Sequence, residues 1–439
     1  MLSRFIRSLV LLAAAGAAPA LAQGKVWVVD ASSGPGTDFT SIQVAILSSS
    51  VVDGDVLLVR AGSYTSLNLT NGKALTIQAD VGGGVFVHST PDFGGQVAGL
   101  PAGKSVRLRG LAMNQIRLAN NGGTVWMEDC LVLAEYTGSQ DAIVVTSSSD
   151  VVLLNTSATG TAGLRTCVDP FEYLFNFPGA GLLVSGGSNV AAYGCRFQGG
   201  DGGSHETLDF IHCTSDSGAA GVRSLSLQDK LFLSDCLMTG GSCDACRPDQ
   251  LGCLCPHAGH GVDAAGETFL LDSVAKGGIP ARPNLSHCDA ATPGSDLVGA
   301  VQTLPGKALR ASVASPVHEN ESISIHIEGP AFVPVWLVRA AAPHSMRQIR
   351  GFRGVLLLDW STWYGLTLLG VTDATGTLDR ALPAGALPTG IDASVDFWQF
   401  AYMESPQLPN GRKLLRFPKE PKVFVHGQGS MVTVLGGGF

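Results

Sequence analysis

Short apolar runs separated by turn residues define the N-terminal region between residues 30 and 80. Phe39, Ile42, Ala45 and Ile46 fall at helical spacing and predict one brief helix. Residues 56–59, 67–69 and 73–77 read as short strands, with turns at 34–38, 53–55 and 61–64. A helix followed by strands that turn at every corner is how a coiled sheet begins. The helix is expected to cover the first rung, whose edge would otherwise recruit other chains.

One type of segment then recurs along the chain. In this segment a predicted strand with alternating side chains is followed by a turn-prone residue and then by a small residue. The segment occurs at 106–111, 125–130, 151–156, 190–195, 208–213, 231–236 and 268–273. The last positions are 19, 26, 39, 18, 23 and 37 residues apart. Spacings near about 20 residues match one coil of a β-helix, and the longer ones predict insertions.

The repeat ends near Thr292-Pro293-Gly294, and a different pattern follows. Ile323, Ile325 and Ile327 alternate strictly with polar residues, as in an antiparallel strand with one buried face. The domains expected are a β-helix over 23–290, with its cap and first coil at 30–80 and a Cys-rich insertion at 240–260. A linker over 291–308 and an antiparallel β-sandwich over 309–439 complete the prediction.

The stretch GPGTDFTSIQVAI…DGDVLLVRAGSYTSLNLTNGKALTI resembles the opening of right-handed parallel β-helix proteins of the pectate-lyase-like superfamily. It is especially similar to the secreted, planctomycete-type β-helix proteins. The resemblance covers about fifty residues and implies a right-handed parallel β-helix with a pectin-lyase-like fold. With the helix and the C-terminal strands that the spacing predicts, the expected chain is all-β, with a short N-terminal capping helix and a C-terminal antiparallel β-sandwich. It is specific for the fold and not for an activity.

Residues 1–22 have the pattern of an export signal. Arg4 and Arg7 precede an apolar stretch at 9–18, and Ala20-Leu21-Ala22 is an A-x-A cleavage site. About ten apolar residues cannot cross ~30 Å of hydrocarbon, so no membrane anchor is expected. The mature chain is therefore expected to be secreted, periplasmic or at the cell surface. With 28 basic and 36 acidic side chains and no basic run, nucleic acid is not an expected partner.

The ten cysteines supply the first candidate chemistry. Cys195, Cys213 and Cys236 share one repeat position and are expected to stack, either as small apolar fillers or with one disulfide. Cys243, Cys246, Cys253 and Cys255, followed by His257 and His260, offer enough ligands for tetrahedral zinc. Because export exposes thiols to an oxidising medium, disulfides that staple an inserted loop are favoured over the zinc alternative.

An acidic, glycine-rich stretch contains the weak catalytic candidates Asp201, His205, Glu206 and Asp209. The resemblance to the superfamily's lyases implies carboxylates that hold Ca²⁺ and a basic side chain that removes a proton from the sugar. No Arg or Lys lies near these residues in sequence, and a solvated corner loop needs the same composition. The corner loop is the favoured interpretation.

Polygalacturonases, on the same fold, provide a further comparison. Asn155-Thr156-Ser157, Ser234-Asp235 and Gly259-His260-Gly261 partly resemble their motifs and occur in the same order. Two of three expected carboxylates are serines here, and inverting hydrolysis needs two carboxyl groups across the bond. A chance match is the favoured interpretation.

Trp360, Trp363 and Tyr364 interrupt the strand pattern of the C-terminal domain. Exposed aromatic rings can stack on sugars, whereas buried ones belong to a sandwich core. The preferred function is that of an exported, non-catalytic protein that acts at the cell surface or binds extracellular polysaccharide, or another cell-envelope component, without a cofactor. The alternatives are a polysaccharide lyase or glycosidase, with Ca²⁺ only for the lyase, and a structural protein of the cell envelope.

Overall fold

A computed structural model of the chain describes residues 22–81, 84–88, 95–134, 141–169, 172–176, 178–202, 217–243, 247–249, 252–254, 257–280, 292–348, 352–404 and 423–437. These residues form two compact units. The coil unit comprises 27–50 and 57–305, and the sandwich unit comprises the described residues of 1–26, 51–56 and 306–439. Within the described residues, no helix is long and apolar enough to cross a membrane.

The coil unit is a parallel β-helix with three sheets, which confirms the predicted fold. Sheet A contains Val26–Val29, Val56–Val59, Thr76–Ala79, Ser105–Arg109, Thr124–Glu128, Asp150–Leu154, Asn189–Tyr193 and Lys230–Ser234. Sheet B contains Gly62–Tyr64, Val85–Val87, Leu111–Met113, Leu131–Leu133, Ser157–Thr159, Arg196–Gln198, Leu237–Thr239 and Val274–Lys276. Sheet C contains Asn68–Leu69, Gly95–Ala98, Ile116–Ala119, Ile143–Thr146, Leu182–Ser185 and Val222–Ser224. The long strands Val262–Leu271 and Leu297–Leu304 continue sheet C directly into sheet A.

Inward side chains of sheet A stack in register from coil to coil. Val106, Val125, Val151, Val190 and Leu231 are paired along neighbouring strands, and none is more than 1% exposed. Because each rung lies ~4.8 Å from the next, such columns leave no room for water between rungs. The repeat seen in the sequence is therefore a repeat of buried contacts.

The corner from sheet A to sheet B is made by one residue in the left-handed conformation. On successive coils these residues are Gly110, Asp129, Asn155, Gly194, Asp235 and Asp272, with φ between 47° and 69°. Gly, Asn and Asp tolerate this region better than other residues, which explains the turn-prone position in the repeat. The small residue that follows turns inward, as Cys130 does, with Sγ 3.3 Å from the Glu128 carbonyl oxygen.

The corner from sheet C to sheet A is polar and buried. The Asp229 carboxylate is fully buried and accepts hydrogen bonds from the Gly187, Ser188 and Ser226 amides and from the Ser224 hydroxyl, at 2.9–3.0 Å. Four donors replace the water that the charge loses on folding. This corner is therefore closed by side chains.

The N-terminal end of the coil is capped by the helix Ile42–Leu47. Its Gln43 side chain mimics a neighbouring strand: the amide nitrogen donates to the Asn68 carbonyl at 3.1 Å, and its oxygen accepts from the Asn68 amide at 2.7 Å. Lys73 Nζ donates to the carbonyls of Ile46 and Ser48 at the end of the helix, at 2.8 and 2.7 Å. The predicted cap is thus present and satisfies the exposed edge of sheet C.

Long connections leave the coil at the corner from sheet B to sheet C. Four successive turns carry them, at 160–181, 199–221, 240–261 and 277–296, whereas the turn at 114–115 needs two residues. Two of them contain an antiparallel hairpin, Leu164–Asp169 with Glu172–Asn176 and Arg247–Asp249 with Gly252–Leu254. The Cys-rich stretch predicted at 240–260 is one of four connections of nearly equal length.

The outgoing and returning chains of these connections form one continuous backbone ladder. Each amide donates to the carbonyl of the preceding member at 2.7–3.1 Å, in the order Thr161, Gly179, Gly200, Ala219, Gly241, Gly259, Gly278, Gly294. We call these eight residues the glycine neck. A Cβ built on Gly241 would overlap the carbonyl oxygen of Gly200, and one on Gly259 would overlap that of Ala219. Two chain passages per coil fit at this corner only because most of the neck has no side chain.

The sandwich unit is largely antiparallel, as predicted. Its main sheet has the strand order Val317–His318, Val423–Leu435, Ala393–Glu404, Pro334–Ala340, Trp363–Val371, with Ala22–Gly24 and Phe352–Arg353 paired at its sides. A three-stranded sheet contains Arg310–Val313, Ser322–Glu328 and Thr377–Pro383, and Pro343–Gln348 pairs with Val355–Leu358. Ile323, Ile325 and Ile327 are buried as their alternation indicated. Val317–His318 and Phe352–Arg353 pair in parallel, which the pattern did not predict.

Two expectations about the coil are corrected. Strand Asn189–Tyr193 pairs directly with Lys230–Ser234, so residues 208–213 are not a rung between them, and they lie outside the described residues. The segment 291–308, expected as a linker, contains the last coil strand, Leu297–Leu304. Its alternation was obscured because this strand bends from sheet C into sheet A at residue 300.

The neck predicts an unequal response to glycine substitution. Gly241→Ala should lower the free energy of unfolding of the coil unit by about 3 kcal/mol or more, because the new methyl group overlaps the Gly200 backbone within a fixed ladder. Gly103→Ala, at φ 80° in open space, should cost only about 1 kcal/mol. Guanidinium unfolding followed by circular dichroism measures both. Equal effects of the two substitutions would contradict the role assigned to the neck.

Candidate functional site

A cleft opens beside the glycine neck in the coil unit. Its volume is about 490 Å³, and it is lined by Asp141, Pro178, Ala180, Ser217, Gly218, Ala219, Ala220, Arg223, His257, Ala258, Gly259, His260 and Asp263. We call it the corner cleft. The lining comes from the returning ends of the long connections and from the first residues of sheet C strands. Its small residues form a flat floor, and the polar side chains stand around it.

The Asp141 carboxyl lies at one side of the corner cleft. Its Oδ1 accepts a hydrogen bond from the Ala180 amide at 2.6 Å, one coil further along. Burial raises the pKa of the Asp141 carboxyl, and the Ala180 hydrogen bond and the charge of Arg223 offset that increase only in part. A carboxyl whose pKa is raised inside a cleft is a group suited to accept or donate a proton.

Arg223 and Asp263 face each other across two strands of sheet C. The two residues are in register on adjacent rungs, and Arg223 Nε lies 3.5 Å from Asp263 Oδ2. The side chains are 54% and 34% exposed, so the pair remains open to solvent and to a ligand. An exposed pair of this kind contributes little to stability, about 0–1 kcal/mol, and it can exchange partners with a ligand at small cost.

Two histidines complete the polar rim. His260 Nδ1 accepts a hydrogen bond from the Ser295 amide at 3.0 Å, so the neutral ring carries its proton on Nε2. The His257 amide donates to Ser217 Oγ at 3.1 Å, and Gly218 donates to the His257 carbonyl at 2.9 Å. The His260 ring is thus held by a backbone amide, whereas the contacts of His257 are made by its main chain. Both imidazoles can offer hydrogen bonds to a bound molecule.

The composition of the corner cleft determines what it can do. The carboxylates can accept hydrogen bonds, and the guanidinium and an imidazole N–H can donate them. The Ala and Gly floor presents polar backbone and small methyl groups. A cleft of several hundred Å³ with a few placed polar side chains is typical of a small-ligand or sugar-sized site. The two carboxylates outnumber the one guanidinium, which disfavours a polyanion.

Of the acidic stretch predicted from sequence, the structure describes Asp201, which does not line the corner cleft. Asp201 is exposed, and its Oδ1 accepts a hydrogen bond from the Ser242 amide at 2.6 Å. His205, Glu206 and Asp209 lie outside the described residues. Their assignment as weak catalytic candidates therefore stays a prediction.

The motifs that resemble polygalacturonase do not come together. Asn155 and Asp235 lie at the corner between sheets A and B, each directly after a strand of sheet A. His260 precedes strand Val262–Leu271 at the corner between sheets B and C and lines the corner cleft. The third motif thus has a place in the candidate site, and the first two do not.

The cysteine column is present in part. Cys130, Cys195 and Cys236 are buried free thiols on their rungs, at the position where Thr156 and Ser273 stand on other coils. Cys195 Sγ lies 3.4 Å from the Leu153 and Tyr193 carbonyl oxygens, and Cys236 Sγ 3.3 Å from that of Ser234. Burial raises the pKa of the Cys130 thiol to about 12 and raises that of Cys236 well above its usual range. Cys213 is not a member of this column between Cys195 and Cys236, because their strands are direct neighbours, and it lies outside the described residues.

The side chains of the Cys-rich connection can be described only at its two ends. Cys243 is buried and its backbone bridges to Pro280, and His257 and His260 line the corner cleft. The side chains of Cys246, Cys253 and Cys255 lie outside the described residues. Among the described residues no group of three His, Cys, Asp or Glu side chains is arranged to hold a metal. Disulfides and zinc both remain predictions here.

The aromatic candidates lie in the sandwich unit. Trp363 is half-buried and its Nε1 donates to the Gly365 carbonyl at 2.9 Å. Tyr364 packs near the guanidinium of Arg339, 5.9 Å from its ring centroid, and burial together with the Asp396 carboxylate raises the Tyr364 pKa. Trp360 begins the 3₁₀ turn Trp360–Thr362, and its side chain lies outside the described residues. A stacking role for these residues stays a prediction.

A repeat of Gly-rich segments, which was not among the patterns predicted from the sequence, occurs at the corner cleft. The returning segments are Gly179-Ala180-Gly181-Leu182, Ala219-Ala220-Gly221-Val222 and Gly259-His260-Gly261-Val262, spaced by 40 residues. Each places small residues in the floor and then begins a strand of sheet C. Asp141 and Arg223 belong to no sequence motif. They lie on separate rungs, and residues on separate rungs form a cluster only when the coils stack.

Comparison with known proteins identifies no family. No protein-family model and no curated protein matches the chain. Among solved structures, the chain is similar to a pectin methylesterase in complex with a hexasaccharide, with a TM-score of 0.32 and 12% sequence identity. That match covers 65% of this chain and 81% of the other. The site is therefore interpreted from its own residues.

The buried thiols give a direct test of the cysteine column. In the native protein, Cys130, Cys195 and Cys236 should resist alkylation by iodoacetamide, because all three side chains are buried and closed to the reagent. Burial also disfavours the reactive thiolate of Cys130 and of Cys236. In denaturant without a reductant all three should be labelled, as mass spectrometry of their peptides can show. Failure of Cys195 and Cys236 to react in denaturant would indicate a disulfide between them. Rapid labelling in the native state would contradict their burial.

Proposed function

We propose that this chain is an exported protein that binds an extracellular polysaccharide, and that the sugar chain lies in the corner cleft. One observation carries the proposal: hydrogen-bonding side chains from separate coils, Asp141, Arg223, Asp263, His257 and His260, converge around a flat floor of small residues. Binding without cleavage at the cell surface, in the extracellular medium or in the periplasm is the activity proposed.

The shape of the corner cleft supports a sugar ligand. Pyranose rings have one apolar face and a rim of hydroxyl groups, and they fit a floor without long side chains. The half-buried Ala219 supplies apolar contact, and the rim supplies donors and acceptors. Because the floor is backbone of the glycine neck, it is already ordered before the ligand arrives, which limits the entropic cost of binding.

The charge of the corner cleft indicates the class of polysaccharide. Arg223 is already paired with Asp263, and Asp141 adds a second acidic group. A polyuronate or sulfated chain would meet these carboxylates without enough cations to neutralise them. A neutral, hydroxyl-rich polysaccharide is therefore the ligand proposed.

A second candidate function is cleavage of such a polysaccharide. It is favoured by one observation, that Asp141 has a raised pKa and shares the cleft with a second carboxylate, Asp263. A protonated carboxyl can give its proton to a glycosidic oxygen while a second carboxylate acts as base or nucleophile. This alternative requires product to form, which binding alone does not.

Isothermal titration calorimetry with neutral, uronate and sulfated oligosaccharides tests the proposal. The wild-type chain is expected to bind a neutral member of the panel most tightly. Arg223→Ala should weaken that binding about tenfold or more, because a hydrogen bond from a charged donor is worth about 1.5 kcal/mol or more. Arg117→Ala, an exposed arginine in the same outward position on sheet C three strands earlier, should leave binding unchanged.

Binding to no member of the panel, or equal losses in Arg223→Ala and Arg117→Ala, would contradict the assignment of the cleft. The same samples should be assayed for new reducing ends and unsaturated products. Product that forms with the wild type and disappears in Asp141→Asn would support the second candidate in place of simple binding.

A further inference from the structure

The two ends of the β-helix are closed differently. At the N-terminal end, Asp38 and Phe39 donate to the Val28 carbonyl at 2.9 and 3.1 Å, and the Val28 amide donates to Asp38 Oδ2 at 2.9 Å. Gln43 closes the neighbouring edge at Asn68. Both edges are therefore satisfied by the chain itself, and neither can accept another strand.

The last rung has no such closure among the described residues. Strand Leu297–Leu304 pairs in parallel with Val262–Leu271 along one edge, and no described strand pairs with its other edge. All eight of its residues are exposed or half-buried, and Leu297 is 41% exposed. Val274 and Ile279, near the same end of the coil, are 49% and 75% exposed. The coil therefore ends in an open edge with apolar side chains around it.

The sequence of this strand carries none of the features that protect edges. Leu-Val-Gly-Ala-Val-Gln-Thr-Leu contains no charged residue and no proline. An uncharged, eight-residue strand with a free edge is a template for an extended segment of another chain. Lysine or glutamate side chains of a partner that faced this strand would lose their hydration. The partner segment should therefore also be uncharged.

We propose that this open rung is an interface between two copies of the chain, in which the two Leu297–Leu304 strands pair antiparallel about a two-fold axis. The same uncharged segment on the second copy meets the requirement for a partner. The bend of the strand also fits, since residues 297–299 continue sheet C and 301–304 continue sheet A. With the bend near the middle, antiparallel pairing places sheet C of each copy against sheet A of the other.

The closed N-terminal end limits how far assembly proceeds. Strand Leu297–Leu304 continues sheets C and A, and at the capped end the edges of these two sheets are closed at Val28 and Asn68. The open edge can therefore pair only with the open edge of another copy. Such a contact uses the same surface on both copies, so a dimer leaves that surface free on neither copy for a third chain. The expected assembly is a dimer and not a filament.

Sedimentation equilibrium of the full chain tests this inference. The wild type should show a concentration-dependent shift to twice the chain mass. The double variant Ala300→Lys, Gln302→Lys should weaken association by at least about tenfold, because like charges from both copies meet at the interface. Gln198→Lys, the matched change on an exposed position of sheet B, should associate as the wild type does.

Thermal melting by circular dichroism should give the same transition for all three proteins, which separates loss of association from loss of fold. If the double variant melts early, Gln302→Glu alone replaces it, with the same expected loss of association. Amide exchange of residues 297–304 should slow as the wild-type concentration rises. A wild type that is monomeric throughout, or a dimer that persists in the charged variants, would overturn the proposal.

Discussion

Hydrogen bonds between the backbones of adjacent coils set the spacing on which every other feature of the coil unit depends. At ~4.8 Å per rung, each corner must fit into the thickness of one chain. A single left-handed residue meets that requirement between sheets A and B, and buried Ser and Asp side chains meet it between sheets C and A. The third corner carries two chain passages on four successive coils, and there the same spacing admits almost no side chain.

The corner cleft follows from this constraint. Because every neck residue except Thr161 is Gly or Ala, few side chains rise from the surface beside it, and larger polar side chains line the cleft around these small residues. Stacking then brings Asp141, Arg223 and Asp263 together although they lie up to 122 residues apart in the chain. The carboxyl of Asp141 is half enclosed by the next coil, which is why its pKa is raised. The glycine neck, which accommodates the long connections, thus also provides an ordered floor for a ligand.

The sequence predicted the coil because each rung repeats the same local pattern, from Val106 to Leu271, and it predicted the cap because Ile42, Ala45 and Ile46 share one helix face. It misplaced residues 208–213, whose alternation imitates a rung although sheet A has no place for one there. It also missed strand Leu297–Leu304, since a strand that bends between two sheets changes its inward face. The site was beyond reach for another reason: Arg223 and Asp263 become neighbours only through the register of sheet C, and register is not encoded near either residue. The 40-residue spacing of the Gly-rich return segments was the available clue.

The central claim is that the glycine neck is as rigid as a core strand and holds the corner cleft in place. Amide hydrogen exchange resolved at Gly200, Ala219, Gly241 and Gly259 measures that property directly, because each of these amides donates within the ladder. We expect these four amides to exchange as slowly as those of Val151 and Leu153 in sheet A. Exchange as fast as that of the exposed Gly103 turn would show that the neck opens independently of the coil, which would contradict its rigidity.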